Sequence, residues 1–317
     1  MKPKVLITHE LPGDSIQKLK EIADVEILED SNVNKAVLME KIVDKEAIIS
    51  FLGDEIDQDI IKQGNKLRII ANYAVGFNNI DVESAKKCGI IVTNTPDVLT
   101  DSTADLTWGL IMAIARRIPE GDAFVKNNLF KGWEPQLLIG QAVSGKTLGI
   151  IGMGRIGQAV ARRANGFQMK VLYTKRTRLT EAEERSLNAE YCSLEELLQQ
   201  SDFVSLHTPL SDATKHLIRK EQLDFMKPTA YLINTSRGAL IHEKDLVEKL
   251  KAKEIAGAAL DVFEDEPKLA PGLTELKNVV LTPHIGSSTI ETRIQMADLA
   301  IANVIAVLQG EKPLTMV

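Results

Sequence analysis

Three short segments carry the side chains best suited to chemistry: Thr235-Ser236-Arg237-Gly238, Val262-Phe263-Glu264-Asp265-Glu266-Pro267 and Pro283-His284-Ile285-Gly286-Ser287-Ser288. Each directly follows a run that reads as a buried strand, at 230–234, 255–261 and 279–282. One arginine, several carboxylates and one histidine therefore fall just past strand carboxyl ends, where an open α/β sheet holds its ligands. An arginine fork binds a carboxylate bidentately. An imidazole exchanges a proton near neutral pH, and a carboxylate behind it orients the ring and favours its charged form. Arg237, His284 and Glu266 could fill these roles. Each also has an ordinary reading: Arg237 as a solvated turn residue, Glu266 as part of an acidic loop, His284 as a ring packed beside Pro283. His9, His207, His216 and His242 compete for the proton-transfer role, and His207 also ends a strand.

A second stretch indicates what these residues would work beside. In Leu148-Gly149-Ile150-Ile151-Gly152-Met153-Gly154-Arg155-Ile156-Gly157, the last three glycines fit G-x-G-x-x-G between a strand and a helix. Gly152 would permit a tight turn, Gly154 close approach of a pyrophosphate, and Gly157 close packing of helix on strand. Free N–H groups and the positive end of the helix dipole then face the phosphates. With a nicotinamide on the same rim, the three side chains suit hydride transfer to a 2-oxo acid. Arg237 would hold the carboxylate and polarised carbonyl, and His284 would protonate the alkoxide that forms. An NAD site usually places an acid about 20 residues past the glycines, on the ribose 2′-hydroxyl. Here the run is Tyr173-Thr174-Lys175-Arg176-Thr177-Arg178, with no acid before Glu181. A carboxylate would repel a 2′-phosphate and a cationic cluster would hold one, so NADP(H) is favoured and NAD(H) stays open. The ordinary alternative is a basic surface loop.

The elements that must position these groups follow from periodicity. Candidate strands at 4–8, 25–28, 47–51, 69–72 and 90–93 alternate with helical segments such as 15–22, which implies a parallel sheet covered on both faces. A second alternation runs from Thr147: strands at 147–152, 170–174, 203–206, 230–234, 255–261 and 279–282, helices at 154–166 and 193–200. The predicted fold is α/β, with two doubly wound parallel-sheet domains. A Rossmann cofactor domain, 100–287, would be inserted in a flavodoxin-like substrate domain, 1–99 and 288–317. The final helix, 289–308 with Gly310 as its stop, would return to the first domain. A helix over 102–118, capped by Ser102 with Asp105 completing an approximate box, carries apolar residues on more than one stripe. It could be a core helix; the expectation here is that it also meets a second subunit.

Composition narrows the class. A net charge of −6 argues against a nucleic-acid or anionic-membrane surface, and no apolar run reaches 18 residues. The amino terminus lacks the apolar core of a signal peptide, so a cytoplasmic protein is expected. Cys88 and Cys192 form neither a disulfide framework nor a metal-spaced pair, and both read as small buried or half-buried hydrophobes. No residues are assigned to a metal.

Most of the chain resembles the D-isomer-specific 2-hydroxyacid dehydrogenases. The resemblance runs through Val75-Gly76-Phe77-Asn78-Asn79-Ile80-Asp81, GKTLGIIGMGRIGQ at 145–158, INTSRGALI at 233–241, AGAALDVFEDEP at 256–267 and NVVLTPHIGSST at 278–289. VLTDSTADLTWGL at 98–110, GWEP at 132–135 and LYTKRTR at 172–178 resemble the glyoxylate/hydroxypyruvate reductase branch. The resemblance implies Arg237 as substrate anchor, His284 as acid/base, Glu266 as its partner and Asp261 as the holder of the nicotinamide carboxamide. It implies a substrate carboxylate at the backbone of Val75 and Gly76, a pocket wall at Leu52, and a homodimer through the cofactor domain. The cofactor surface expected on these grounds also takes in Thr103, Arg155, Ile156, Pro209, Thr214, Thr235, Ser236 and Gly286. Phosphoglycerate or 2-ketogluconate substrates, and a dinucleotide-sensing corepressor-like protein without turnover, remain as alternatives.

Overall fold

Runs of aliphatic and β-branched residues form the strands of two parallel sheets. The computed structural model describes residues 1–28 and 33–317. They divide into two units, Met1–Leu99 with Ser287–Val317, and Thr100–Gly286. The first unit contains β1 (Lys4–Ile7), β2 (Asp24–Ile27), β3 (Ala47–Ser50), β4 (Ile69–Asn72) and β5 (Ile91–Thr93), in the order β2-β1-β3-β4-β5. The second contains β6 (Thr147–Ile151), β7 (Lys170–Thr174), β8 (Ala189–Tyr191), β9 (Phe203–Leu206), β10 (Tyr231–Asn234), β11 (Gly257–Leu260) and β12 (Val279–Leu281), in the order β12-β11-β10-β9-β6-β7-β8. Every residue of β3, β4, β9, β10 and β11 is buried, as strands covered on both faces require.

The helices are α1 (Ser15–Ile22), α2 (Lys35–Lys41), α3 (Gln58–Gln63), α4 (Val82–Lys87), α5 (Thr100–Ala115), α6 (Ile118–Lys126), α7 (Arg155–Ala164), α8 (Glu181–Leu187), α9 (Leu194–Gln200), α10 (Lys220–Leu223), α11 (Glu243–Lys251) and α12 (Ile290–Leu308). Helix α12 packs on the first unit's sheet, where Arg68 donates to the carbonyls of Val307 and Leu308. Its ends obey local chemistry. The Thr289 hydroxyl accepts from the Thr292 N–H, and Gly310, at φ 83°, supplies the left-handed residue that stops it. Glu-bearing capping boxes start α8 at Thr180 and α9 at Ser193.

The helix expected over 102–118 differs in three ways. It begins at Thr100, so Ser102 is not its cap but a buried residue inside the first turn. It ends at Ala115, because Pro119 cannot continue an α-helical ladder: Arg117 turns left-handed at φ 55° and α6 starts afresh. Its apolar stripes are also satisfied within its own unit. Trp108 donates to the Val160 carbonyl and stacks on Phe167 at 4.5 Å, while Leu110, Ile111 and Ile114 are buried. The exposed apolar side chains lie downstream instead, at Ile118, Val125, Leu129, Phe130, Trp133 and Ile139. Cys88, expected to be at least half-buried, is exposed at the end of α4. Helices α6, α8, α10 and α11 and strand β8 lie outside the elements expected from the sequence.

Candidate active site

The turn from β6 into α7 shows why each of its glycines is needed. A Cβ on Gly152, at φ 98°, would lie 2.6 Å from the His207 carbonyl group, and one on Gly157 would lie 2.3 Å from the Gly152 oxygen. Gly154 is different: a Cβ there would meet nothing within 4 Å. Its face is open, no side chain caps α7, and Arg155, Ile156 and Gly157 form the helix's first turn. An uncapped helix start beneath an open glycine can cradle a pyrophosphate. Order in the second sheet reverses between β6 and β9, which places this turn at the topological switch point.

On the same unit, His284 and Glu266 meet: Nδ1 lies 2.9 Å from Glu266 Oε2. The other carboxylate oxygen accepts from the Phe263 N–H at 2.9 Å, so loop backbone aims Glu266 at the ring. Burial would raise the Glu266 pKa, but the His284 contact and the Arg237 charge hold it below the ordinary carboxylate range. Burial pushes the Arg237 guanidinium down, with Glu266 opposing that shift. Arg237 Nη1 donates to the Ser236 carbonyl at 2.7 Å. The loops that carry Arg237 and Glu266 touch backbone to backbone, since a Cβ on Gly238 would fall 1.8 Å from the Phe263 carbonyl carbon.

Asp261, fully buried at the end of β11, organises the turn that bears His284. Its Oδ1 accepts from the Thr282 hydroxyl at 2.6 Å and the Ile285 N–H at 2.8 Å, and its Oδ2 from the Gly286 N–H at 2.8 Å. His284 itself is left-handed, at φ 53°, a conformation this carboxylate sustains. Burial raises the Asp261 pKa against those hydrogen bonds. Oδ2, with one protein donor, keeps acceptor capacity for a further N–H. Thr103 lies beside Gly286, and its helix reaches the end of β10 through a Thr107–Thr235 hydroxyl contact of 2.9 Å. The Ser236 hydroxyl donates to the Thr208 carbonyl, and Thr214 to the Pro209 carbonyl, so both pin the loop after β9.

The rival histidines have other partners. His207 Nε2 is 2.8 Å from Ser205 Oγ, and burial pushes its pKa down to about 3, which leaves it neutral. His216 pairs with Glu264, His242 with Asp245, and His9 with Asp54. Among the described residues no group of three His, Cys, Asp or Glu side chains is arranged to hold a metal ion, and no helix is long and apolar enough to cross a membrane.

The cationic run after β7 divides. Arg178 gives a two-pronged hydrogen bond to Glu184, at 2.8 and 2.9 Å, and lies over the Tyr191 ring. Glu184 also accepts from Tyr173 at 2.6 Å, and its pKa falls to about 2. The Arg178 guanidinium is therefore engaged in its own unit, a contact invisible in the sequence because Glu184 is six residues away across a turn. Lys175 reaches the Met153 carbonyl of the glycine turn. Arg176 and Thr177 are exposed.

In the first unit, Leu52 follows β3, and Val75 and Gly76 follow β4; all three are half-buried. Residues not foreseen surround them. Asn79 donates to the carbonyls of Phe51 and Asp54, Asn72 to that of Gly76, and Asn94 to that of Val75. The available signal was position, because Asn72 and Asn94 end or follow strands just as the second unit's polar residues do.

An open dinucleotide cradle and a coupled imidazole–carboxylate pair past the strand ends of one doubly wound sheet define a class: the nicotinamide-dependent dehydrogenases. Comparison with known proteins narrows it. Residues 108–286 match the model of the D-isomer specific 2-hydroxyacid dehydrogenase NAD binding domain. A glyoxylate reductase of Thermococcus litoralis is 50% identical, over 99% of this chain and 96% of its own length. Among solved structures, a Thermus thermophilus protein superposes with a TM-score of 0.94 at 45% identity, covering 99% of both chains. An NADPH-dependent glyoxylate/hydroxypyruvate reductase of Sinorhizobium meliloti, solved with NADP and malonate, gives a TM-score of 0.88 at 30% identity, over 100% of this chain and 97% of that one. The chain belongs to the D-isomer-specific 2-hydroxyacid dehydrogenase family, and it is an NAD(P)-dependent dehydrogenase that interconverts 2-oxo and 2-hydroxy acids.

Proposed function

We propose that the protein reduces small 2-oxo acids, glyoxylate and hydroxypyruvate among them, with NADPH preferred over NADH. The observation that carries this reading is the 2.9 Å contact between His284 and Glu266, with Arg237 charge-coupled to the same carboxylate. The bound cofactor supplies hydride to the carbonyl carbon. Arg237 anchors the substrate carboxylate and polarises the carbonyl. His284, held by Glu266 through Nδ1, delivers a proton from Nε2 to the substrate oxygen. Asp261 holds the His284 turn and offers Oδ2 to a carboxamide. In the first unit Leu52 forms the pocket wall, and the Val75 and Gly76 backbone receives the carboxylate.

Preference for NADPH is supported by Arg176, which is exposed and has no ion pair or hydrogen bond among the described residues. Thr177 beside it contributes a hydroxyl, whereas Arg178 stiffens the loop through Glu184. A steady-state assay following NADPH or NADH loss with a panel of 2-oxo acids tests the activity. Arg176→Ala should raise KM for NADPH about tenfold or more, roughly 1.4 kcal/mol, and leave NADH little changed. Equal losses with both cofactors would sink the phosphate-clamp reading.

We further propose a homodimer through the cofactor unit. The exposed apolar residues of α6 and the segment after it support this, since six large apolar side chains are exposed between Ile118 and Ile139.

A further inference from the structure

Three consecutive peptide groups after β4 have their carbonyl oxygens tied down. The Ala74 oxygen accepts from the Thr95 N–H at 2.9 Å, the Val75 oxygen from Asn94 Nδ2 at 2.8 Å, and the Gly76 oxygen from Asn72 Nδ2 at 2.8 Å. In a planar trans peptide the following N–H points opposite to the carbonyl. Each of the Val75, Gly76 and Phe77 N–H groups therefore points away from the donor that holds the carbonyl of its own peptide. None of these N–H groups has an acceptor among the described residues, while Val75 and Gly76 are half-buried and Phe77 is exposed. Successive free N–H groups on one short loop form an anion-binding concavity.

The two asparagines are themselves fixed. Asn72 is fully buried, and its Oδ1 accepts from the Ser50 hydroxyl at 3.2 Å and from Asn79 at 3.3 Å. With the oxygen so occupied, its amide nitrogen must face Gly76. The Asn94 carbonyl accepts from the Thr315 hydroxyl at 2.6 Å, and Thr315 is gripped by the buried Asn303 of α12.

We propose that Asn72 and Asn94 are positioning residues that preset the Val75–Phe77 backbone to receive the carboxylate of the oxo acid. This rests on the reading of the protein as a 2-oxo acid reductase. Without these amides the Val75–Gly76 and Gly76–Phe77 peptides lose the donors that orient them, and their N–H groups must be ordered anew for each substrate.

The test uses the full chain with Asn72→Asp, Asn94→Asp and the neutral Asn94→Leu, measured beside the wild type and Arg237→Ala. Asp keeps the shape of Asn but cannot donate to a carbonyl, and Asn94→Leu removes the donor without adding charge. The readouts are KM and kcat for glyoxylate, the inhibition constant of oxamate, the dinucleotide Kd and Tm. In both Asn94 variants, KM and the oxamate constant should rise about tenfold or more, with kcat falling less and with dinucleotide Kd and Tm near wild type. Half-buried Asn94 keeps the test decisive if Asn72→Asp does not fold. Normal carboxylate binding in a folded Asn94→Leu, with Arg237→Ala impaired, would overturn this proposal alone. Parallel losses in dinucleotide affinity and Tm would reduce the asparagines to scaffold and also overturn it. A wild type inactive with every 2-oxo acid would remove the functional reading and this proposal together.

Discussion

A histidine becomes a useful acid only when its ring and its charge are both held. Two carboxylates hold different parts of the His284 segment: Glu266 meets the ring at Nδ1, and Asp261 accepts from the backbone of the turn. His284→Gln should lower kcat by about two to four orders of magnitude with KM for the oxo acid changed less, as read by steady-state kinetics. Glu266→Gln keeps the shape of the side chain but takes away the carboxylate that meets His284 Nδ1. kcat should then fall with KM for the oxo acid changed less, and an unchanged kcat would deny Glu266 its role. Residue types past strand ends were enough to nominate this pair, but they did not separate His284 from His207. Desolvation did: one ring has a carboxylate beside it and the other a serine hydroxyl within a water-poor environment. The Arg178–Glu184 contact was likewise illegible, since whether a surface arginine is free depends on which acid the following helix brings back.

Elements transmit these constraints. In the strand–turn–helix at β6 and α7 the glycines stand in two settings: Gly152 and Gly157 press on protein, and Gly154 faces open space. Gly157→Ala forces a methyl group into the Gly152 carbonyl. It should cost about 1–3 kcal/mol of stability and weaken dinucleotide binding as well. Gly154→Ala adds a methyl group in open space at an ordinary φ of −86°, so Tm should hold while dinucleotide affinity falls. Calorimetric unfolding with a fluorescence titration would separate the two, and a matching Tm loss in both would refute the cradle. Strands of four or five apolar residues between turn signals were legible because period and burial agree. The extent of α5 was not, because Pro119 stops it only through backbone geometry, and its buried stripes look like an interface until the partner elements are in place.

At the scale of the whole molecule, the apolar side chains of α6 and the segment after it ask for cover. Light scattering coupled to size exclusion should give about twice the chain mass of 34.9 kDa. Val125→Asp with Phe130→Asp should return it toward the monomer, and a monomeric wild type at micromolar concentration would end the dimer reading. The sequence alone determined the two sheets and the glycine turn, and it nominated the arginine, the glutamate and the histidine. Each of those follows from local pattern: alternation, a φ only glycine adopts, or a side chain at a strand end. Only the tertiary structure decided which histidine meets Glu266, which arginine is already engaged, and which amides pin the Val75–Phe77 loop. Such facts depend on desolvation and on hydrogen bonds between residues far apart in the chain, and no local pattern records them.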